Sequence, residues 1–363
     1  MNHFSRIAGM PPGEVFTQAL RALAAMPSGI KPGIAAAIAV LTVFSVCHAE
    51  PQVLERTSGV SSECAGWIQK AMALAEVGLL AEAEAGFAAA LTKVENGSAP
   101  ACTGLILHNQ ATIASISGRF AEGERLALGS IAALEKVYPP DHLALLRPLL
   151  VLASTRLEQG NKSGARLAFG RVKGIRAEQP HERAMIHAMS GSLLQAFGEG
   201  RQAEDEYLAA LDAWTESGRG ETADAGAVLT SLGTLYVQEG RFEEAGLSVG
   251  RASAILSQAR DAAPMDRSKL FCVRAMLHAR LGEWPSAEKD FRQGLSLADG
   301  QPAVGTAYIL TLLSGLAEAL KKNHHRHEAR RIEARAAALL PASPSNTVID
   351  VSDLVAPTKP KRK

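Results

Sequence analysis

His324, His325 and His327 place three imidazoles within four residues, a grouping that can catch a divalent cation through neutral ring nitrogens. Their spacing is poor for one helical face, and no Cys or paired carboxylate stands within sequence reach, so no metal centre is read here. His181-Glu182 begins like the helix of a zinc protease, which needs a second His at 185; that position is Met185, and His187 is out of register. The sequence holds no nucleophile elbow, no Walker phosphate loop and no dinucleotide glycine fingerprint. With no catalytic constellation, the chain is expected not to be an enzyme, and no cofactor is implied.

A second set of polar side chains suits recognition. His108, Asn109 and Thr112; Arg147, Ser154 and Glu158; Gln195; Thr230 and Thr234; Lys269, Met276 and Arg280; and Glu318 recur at similar places in successive segments. Hydroxyl and amide groups can meet the main-chain amides of an extended peptide. Arg147, Lys269 or Arg280 can meet its acidic groups.

The elements that would position these residues follow from a repeat. A small turn residue followed five places later by another small residue occurs at Gly78/Ala83, Gly118/Gly123, Gly160/Ala165, Gly198/Ala203, Gly240/Ala245 and Gly282/Ala287. At His324/Ala329 the glycine is replaced. Successive steps are 40, 42, 38, 42, 42 and 42 residues, a period that marks an array of supersecondary units. Seven places before each turn stands a further small residue: Ala71, Ala111, Ala153, Gly191, Gly233, Ala275 and Ala317. Two such columns let antiparallel helices approach closely across each hairpin. The larger apolar residues around them, such as Leu229, Leu232 and Tyr236, fall three or four apart, which is the helical period. The predicted fold is all-α, a right-handed α-solenoid of about seven antiparallel helical hairpins over residues 60–341. Its repeats lie near 64–100, 104–141, 146–180, 184–220, 226–264, 268–302 and 310–341. The first helix of each pair should line the concave side and carry the polar set named above.

The stretch Leu232-Gly233-Thr234-Leu235-Tyr236, with Gly240 and Ala245 after it, resembles the tetratricopeptide repeat; the first unit agrees through Trp67, Gly78, Ala83, Phe87 and Ala90. The preferred step of 42 exceeds the common 34 and is similar to the longer repeat of kinesin light chain and of related bacterial proteins. Leu107-His108-Asn109-Gln110-Ala111, Gly118-Arg119-Phe120 and Pro140-Asp141-His142 carry that variant's marks. The resemblance implies a non-catalytic scaffold that holds a protein or peptide in its concave groove. Kinesin light chains present groove asparagines, of which this sequence keeps Asn109 alone, with Leu150-Val151, Thr230-Ser231 and Ser314-Gly315 at the corresponding places. An identical cargo mode is therefore not expected. A self-assembling or structural envelope component, joined through array ends or the N-terminal segment, is the alternative.

Residues 1–49 read as a leader. Gly33 to Cys47 is an apolar run after Lys31, of the length of a secretory core, and Cys47-His48-Ala49 supplies small residues for cleavage after Ala49. Met26 would make a normal start. The expectation is an exported chain, periplasmic or extracellular, with an uncleaved membrane anchor through 33–47 as the alternative. Export brings Cys64 and Cys102 into view, at nearly equivalent points of neighbouring units. Adjacent solenoid helices stand about 8 to 10 Å apart, wider than a disulfide favours unless the lead-in loops converge, so free thiols are favoured and a bond stays open. Cys272 reads as a packing residue. Residues 342–363 are expected to be an extended or disordered tail ending in Lys359-Pro360-Lys361-Arg362-Lys363. Lys plus Arg number 38 against 37 for Asp plus Glu, a balance that implies no nucleic-acid partner.

Overall fold

The computed structural model describes residues 60–76, 78–94, 99–260, 262–299, 301 and 305–339. The leader, its apolar run 33–47 and the tail 342–363 lie outside the described residues. The described residues form fourteen α-helices, and no strand occurs among them. They are α1 (Ser62–Glu76), α2 (Leu80–Lys93), α3 (Pro100–Ile116), α4 (Phe120–Leu134), α5 (Leu146–Glu158) and α6 (Lys162–Lys173). The series continues with α7 (Pro180–Phe197), α8 (Gly200–Glu216), α9 (Ala223–Glu239), α10 (Phe242–Gln258), α11 (Pro264–Arg280), α12 (Trp284–Ala298), α13 (Thr306–Lys322) and α14 (Arg326–Leu339). They pair in order into seven antiparallel hairpins, each packed on the next, so the chain is the all-α solenoid that the repeat predicts.

Local chemistry sets the helix ends. Proline opens α3, α7 and α11, where a missing N–H costs nothing and its fixed φ suits the first turn. The Glu182 carboxylate accepts a hydrogen bond from the Gln179 N–H at 3.0 Å, and Asn161 Oδ1 accepts one from the Gly164 N–H at 2.9 Å. Every hairpin turn has its turn residue at positive φ: Gly78, Gly118, Gly160, Gly198, Gly240 and Gly282 between 75° and 85°, and His324 at 65°. Glycine reaches this region without steric cost and histidine does not. The turn N–H groups then bond back to the carbonyls of the closing helix, as Arg241 N does to Tyr236 O at 2.9 Å.

The small-residue columns meet across the hairpins. Ala71, Ala111, Ala153, Ala275 and Ala317 are fully buried, as are Ala83, Ala165, Ala203, Ala245 and Ala287. A Cβ placed on Gly191 would sit 2.7 Å from Tyr207 Cδ1, and one on Gly233 would sit 2.8 Å from Val249 Cγ2. Those distances leave no room for any side chain.

First helices also pack on the first helices of following hairpins: α1 on α3, α3 on α5, and so on to α13. Second helices approach one another less closely, so the array bends with its first helices inward. Long ion pairs span the wider outer gaps: Arg119 with Glu84, Arg171 with Glu135, Arg241 with Glu204 and Arg292 with Glu328.

The inward convergence decides the first cysteine pair. Cys64, near the start of α1, and Cys102, near the start of α3, are joined by a disulfide with Cα atoms 6.0 Å apart. This corrects the expectation of free thiols: helix starts on the inner side of the bend come closer than the typical interaxial spacing. Cys272 is free and buried, with its thiol pushed up to about 12 by burial.

Candidate binding face of the first helices

The predicted polar set lies on the first helices but not at one depth. Arg280 and Glu318 are exposed; Asn109, Thr112, Arg147, Glu158, Gln195 and Met276 are half-buried; His108, Ser154, Thr230, Thr234 and Lys269 are buried. Many of the side chains first serve their own helix. Asn109 Nδ2 donates to Leu105 O at 2.8 Å, Thr112 Oγ1 to His108 O at 2.8 Å and Ser154 Oγ to Val151 O at 3.1 Å. Gln195 Nε2 instead reaches the next unit, donating to Gln238 Oε1 at 3.1 Å. Burial raises the pKa of the Glu158 carboxyl.

Four of these residues come together. Thr230, Thr234, Lys269 and Met276 line a small recess between α9, α11 and α13, with Ala227, Ser231, Asp266, Cys272, Val273 and Tyr308 completing its wall. The lining is a register effect. Thr234 and Met276 stand six places before their turns, Thr230 and Cys272 ten, Ala227 and Lys269 thirteen, and Asp266 and Tyr308 sixteen. Successive first helices therefore present equivalent positions to one another, and the side chain chosen at each decides whether the space closes.

The chemistry of the recess is uneven. Thr230, Ser231 and Thr234 each give their hydroxyl proton to a carbonyl one turn back, at 2.9, 3.2 and 3.0 Å, and Ser231 also meets the Tyr207 hydroxyl. The Lys269 ammonium is buried among them, its pKa pulled down to about 8 by loss of solvent against the opposing effect of Asp266. Asp266 is only 5% exposed, and its Oδ1 has no hydrogen-bond partner. Tyr308, fully buried, shares a hydrogen bond with Ser268 at 3.0 Å.

A related pair stands three units nearer the N-terminus of the array. His108 lies ten places before its turn and Arg147 thirteen before the next, the same relation as Thr230 to Lys269. His108 is fully enclosed, Nδ1 lacks a partner, and burial, aided by the Arg147 charge, lowers its pKa to about 3.

Sequence reading missed Asp266 and Tyr308. An acid in a first turn reads as a helix-start residue and a tyrosine as core; their shared offset from the turn was the available signal. The C-terminal histidines have structural work. His324 forms the turn, and His325 Nδ1 lies 3.2 Å from Glu288 Oε2. Among the described residues, no group of three or more His, Cys, Asp or Glu is placed to hold a metal ion, and no helix is long and apolar enough to cross a membrane.

The fold and turn signature define a tetratricopeptide-type helical-repeat solenoid. No protein-family model matches the sequence, and no curated protein does. Solved structures do. The apo form of RapI superposes with a TM-score of 0.54 at 13% identity, covering 76% of this chain and 97% of that one. A Rap protein complexed with competence and sporulation factor gives 0.57 at 15%, covering 79% and 78%. A tetratricopeptide repeat protein from Parabacteroides merdae gives 0.42 at 15%, covering 76% and 100%. At these identities the likeness to the two Rap structures is one of fold.

Proposed function

We propose that this solenoid is a binding scaffold that takes a peptide segment of a partner protein along its first helices. The observation that carries the reading is the recess between α9, α11 and α13, whose wall includes Asp266, a buried carboxylate with one oxygen that has no hydrogen-bond partner. A folded interior rarely leaves such an atom unsatisfied, so the position suits a group brought by a ligand. The half-buried and exposed polar residues along the same face, Arg147, Gln195, Arg280 and Glu318 among them, fit an extended chain better than a small molecule. The likeness in fold to a Rap protein complexed with competence and sporulation factor agrees with such use of the fold.

The test is selection of random twelve-residue peptides on the full chain, followed by binding of the enriched peptides to Arg147→Glu and Arg280→Glu. The expected result is enrichment, with at least one variant losing tenfold or more in affinity. Enriched peptides that bind both variants unchanged would move the site off this face.

The apolar run 33–47 and the Cys64–Cys102 disulfide together support an exported protein, since disulfides persist in oxidising compartments. Fractionation of cells with sequencing of the mature N-terminus tests this. A chain beginning at Glu50 in the envelope or medium is expected, and an unprocessed chain in the cytoplasm would overturn it.

A further inference from the structure

The recess carries enough chemistry to specify its occupant. We infer that it is a specificity pocket for the side-chain carboxamide of a Gln or Asn residue in a bound peptide. The inference rests on the peptide-binding reading and narrows it to one class of side chain.

Charge balance comes first. Asp266 and Lys269 place one carboxylate and one ammonium in the same wall, both nearly inaccessible to water. A ligand carboxylate or ammonium would leave the enclosed set with a net charge, which a low-dielectric site opposes. A neutral group avoids that cost.

Hydrogen-bond balance comes second. Thr230, Ser231 and Thr234 have given their protons to the helix backbone, and Asp266 Oδ1 has received none. The mostly apolar wall therefore contains one buried acceptor, Asp266 Oδ1, that no donor satisfies, and a wholly apolar occupant would leave it so. A carboxamide brings two N–H donors for Asp266 Oδ1 and a threonine oxygen, together with a carbonyl that can accept from the Lys269 ammonium. The methylene stem would lie against Ala227, Val273 and Met276, which give the recess its apolar share. Three helices wall the space, so a chain crossing the mouth sends in a side chain and keeps its main chain outside.

The experiment uses the full chain labelled with ¹³C at the methionine methyl groups. Met276 lines the recess, and the Met276→Leu variant assigns its signal. The probes are acetyl-Ala-Ala-X-Ala-Ala N-methylamides with X as Gln, Asn, Glu, Lys or Leu, a cap that adds no primary carboxamide. Expected is a saturable shift of the Met276 methyl with Gln or Asn, at an affinity at least tenfold above that of the Glu, Lys and Leu peptides. Asp266→Leu, which removes both acceptor oxygens, and Asp266→Asn, which removes the charge and one of them, should each weaken the preferred peptide at least tenfold; circular dichroism establishes that the variants fold, and if they do not, the five-peptide series decides alone. Equal responses to all five peptides would sink the carboxamide pocket while leaving peptide binding on this face in place. No Met276 response to any of them, or unchanged affinity in a folded Asp266 variant, would equally overturn it.

Discussion

Cys64 and Cys102 bridge the starts of the first helices of the first two hairpins, α1 and α3. The bond closes a loop with a sequence separation of 38, and loop-closure entropy assigns such a cross-link about 3 to 4 kcal/mol. In an array whose units touch only their neighbours, that stabilisation should stay local. Replacing both cysteines by alanine should lower amide-exchange protection in α1 to α4 and leave α9 to α14 unchanged. Uniform loss along the array would mean that the solenoid unfolds as one unit.

Two glycines separate close packing from helix propensity. A Cβ on Gly191 would press on the buried Tyr207 ring, whereas one on Gly250, within α10, meets nothing within 4 Å. Gly191→Ala should cost about 1 to 3 kcal/mol through overpacking. Gly250→Ala should gain about 0.5 to 1 kcal/mol by restricting the unfolded chain. Urea midpoints for the two variants check both signs, and a destabilised Gly250→Ala would refute the open surface drawn for α10.

The turn of the last hairpin has a histidine where the others have glycine. His324 sits at a φ of 65°, a conformation that costs a residue with a Cβ about 1 to 2 kcal/mol. His324→Gly should therefore stabilise the α13–α14 hairpin, by about 0.5 to 1 kcal/mol after the added freedom of glycine when unfolded. The reciprocal Gly240→His should destabilise its own turn. Amide exchange in α13 and α14 reads the first effect directly, and faster exchange in His324→Gly would contradict it.

Most of the fold was legible because its cause is periodic. The turn glycines and the two small-residue columns are steric requirements repeated in every hairpin, so sequence displays them seven times, including the substitution at His324. The binding face was legible only as a register. Counting along the first helices reached Thr230, Thr234, Lys269 and Met276, all of which line the recess. It did not give their depth, because burial depends on how far successive first helices lean together. The same convergence brought Cys64 within bonding distance of Cys102 where the average helix spacing argued for free thiols. Asp266 escaped because its role arises from α9 and α13, neighbours that a local reading of the α11 start does not contain.

His108 offers a pH test of that convergence. Its folded pKa, about 3, lies below the ordinary value of 6.5 because the imidazole is enclosed and faces the Arg147 charge. Between those values the unfolded chain binds a proton that the folded chain refuses, so acidification through this window favours unfolding. One such group changes stability by about 1.4 kcal/mol per pH unit once below its unfolded pKa. The full contribution of neutral His108 is present above pH 6.5 and is lost progressively as pH falls toward 3. His108→Leu keeps an apolar side chain in the site and removes the titration, so its stability should fall less steeply than that of the unsubstituted chain between pH 6.5 and 5, by about 2 kcal/mol over the interval. Urea unfolding of both proteins at pH 7, 6 and 5 measures the difference. Parallel curves would mean that His108 takes up its proton in the folded state, and hence that α3 and α5 do not close over it.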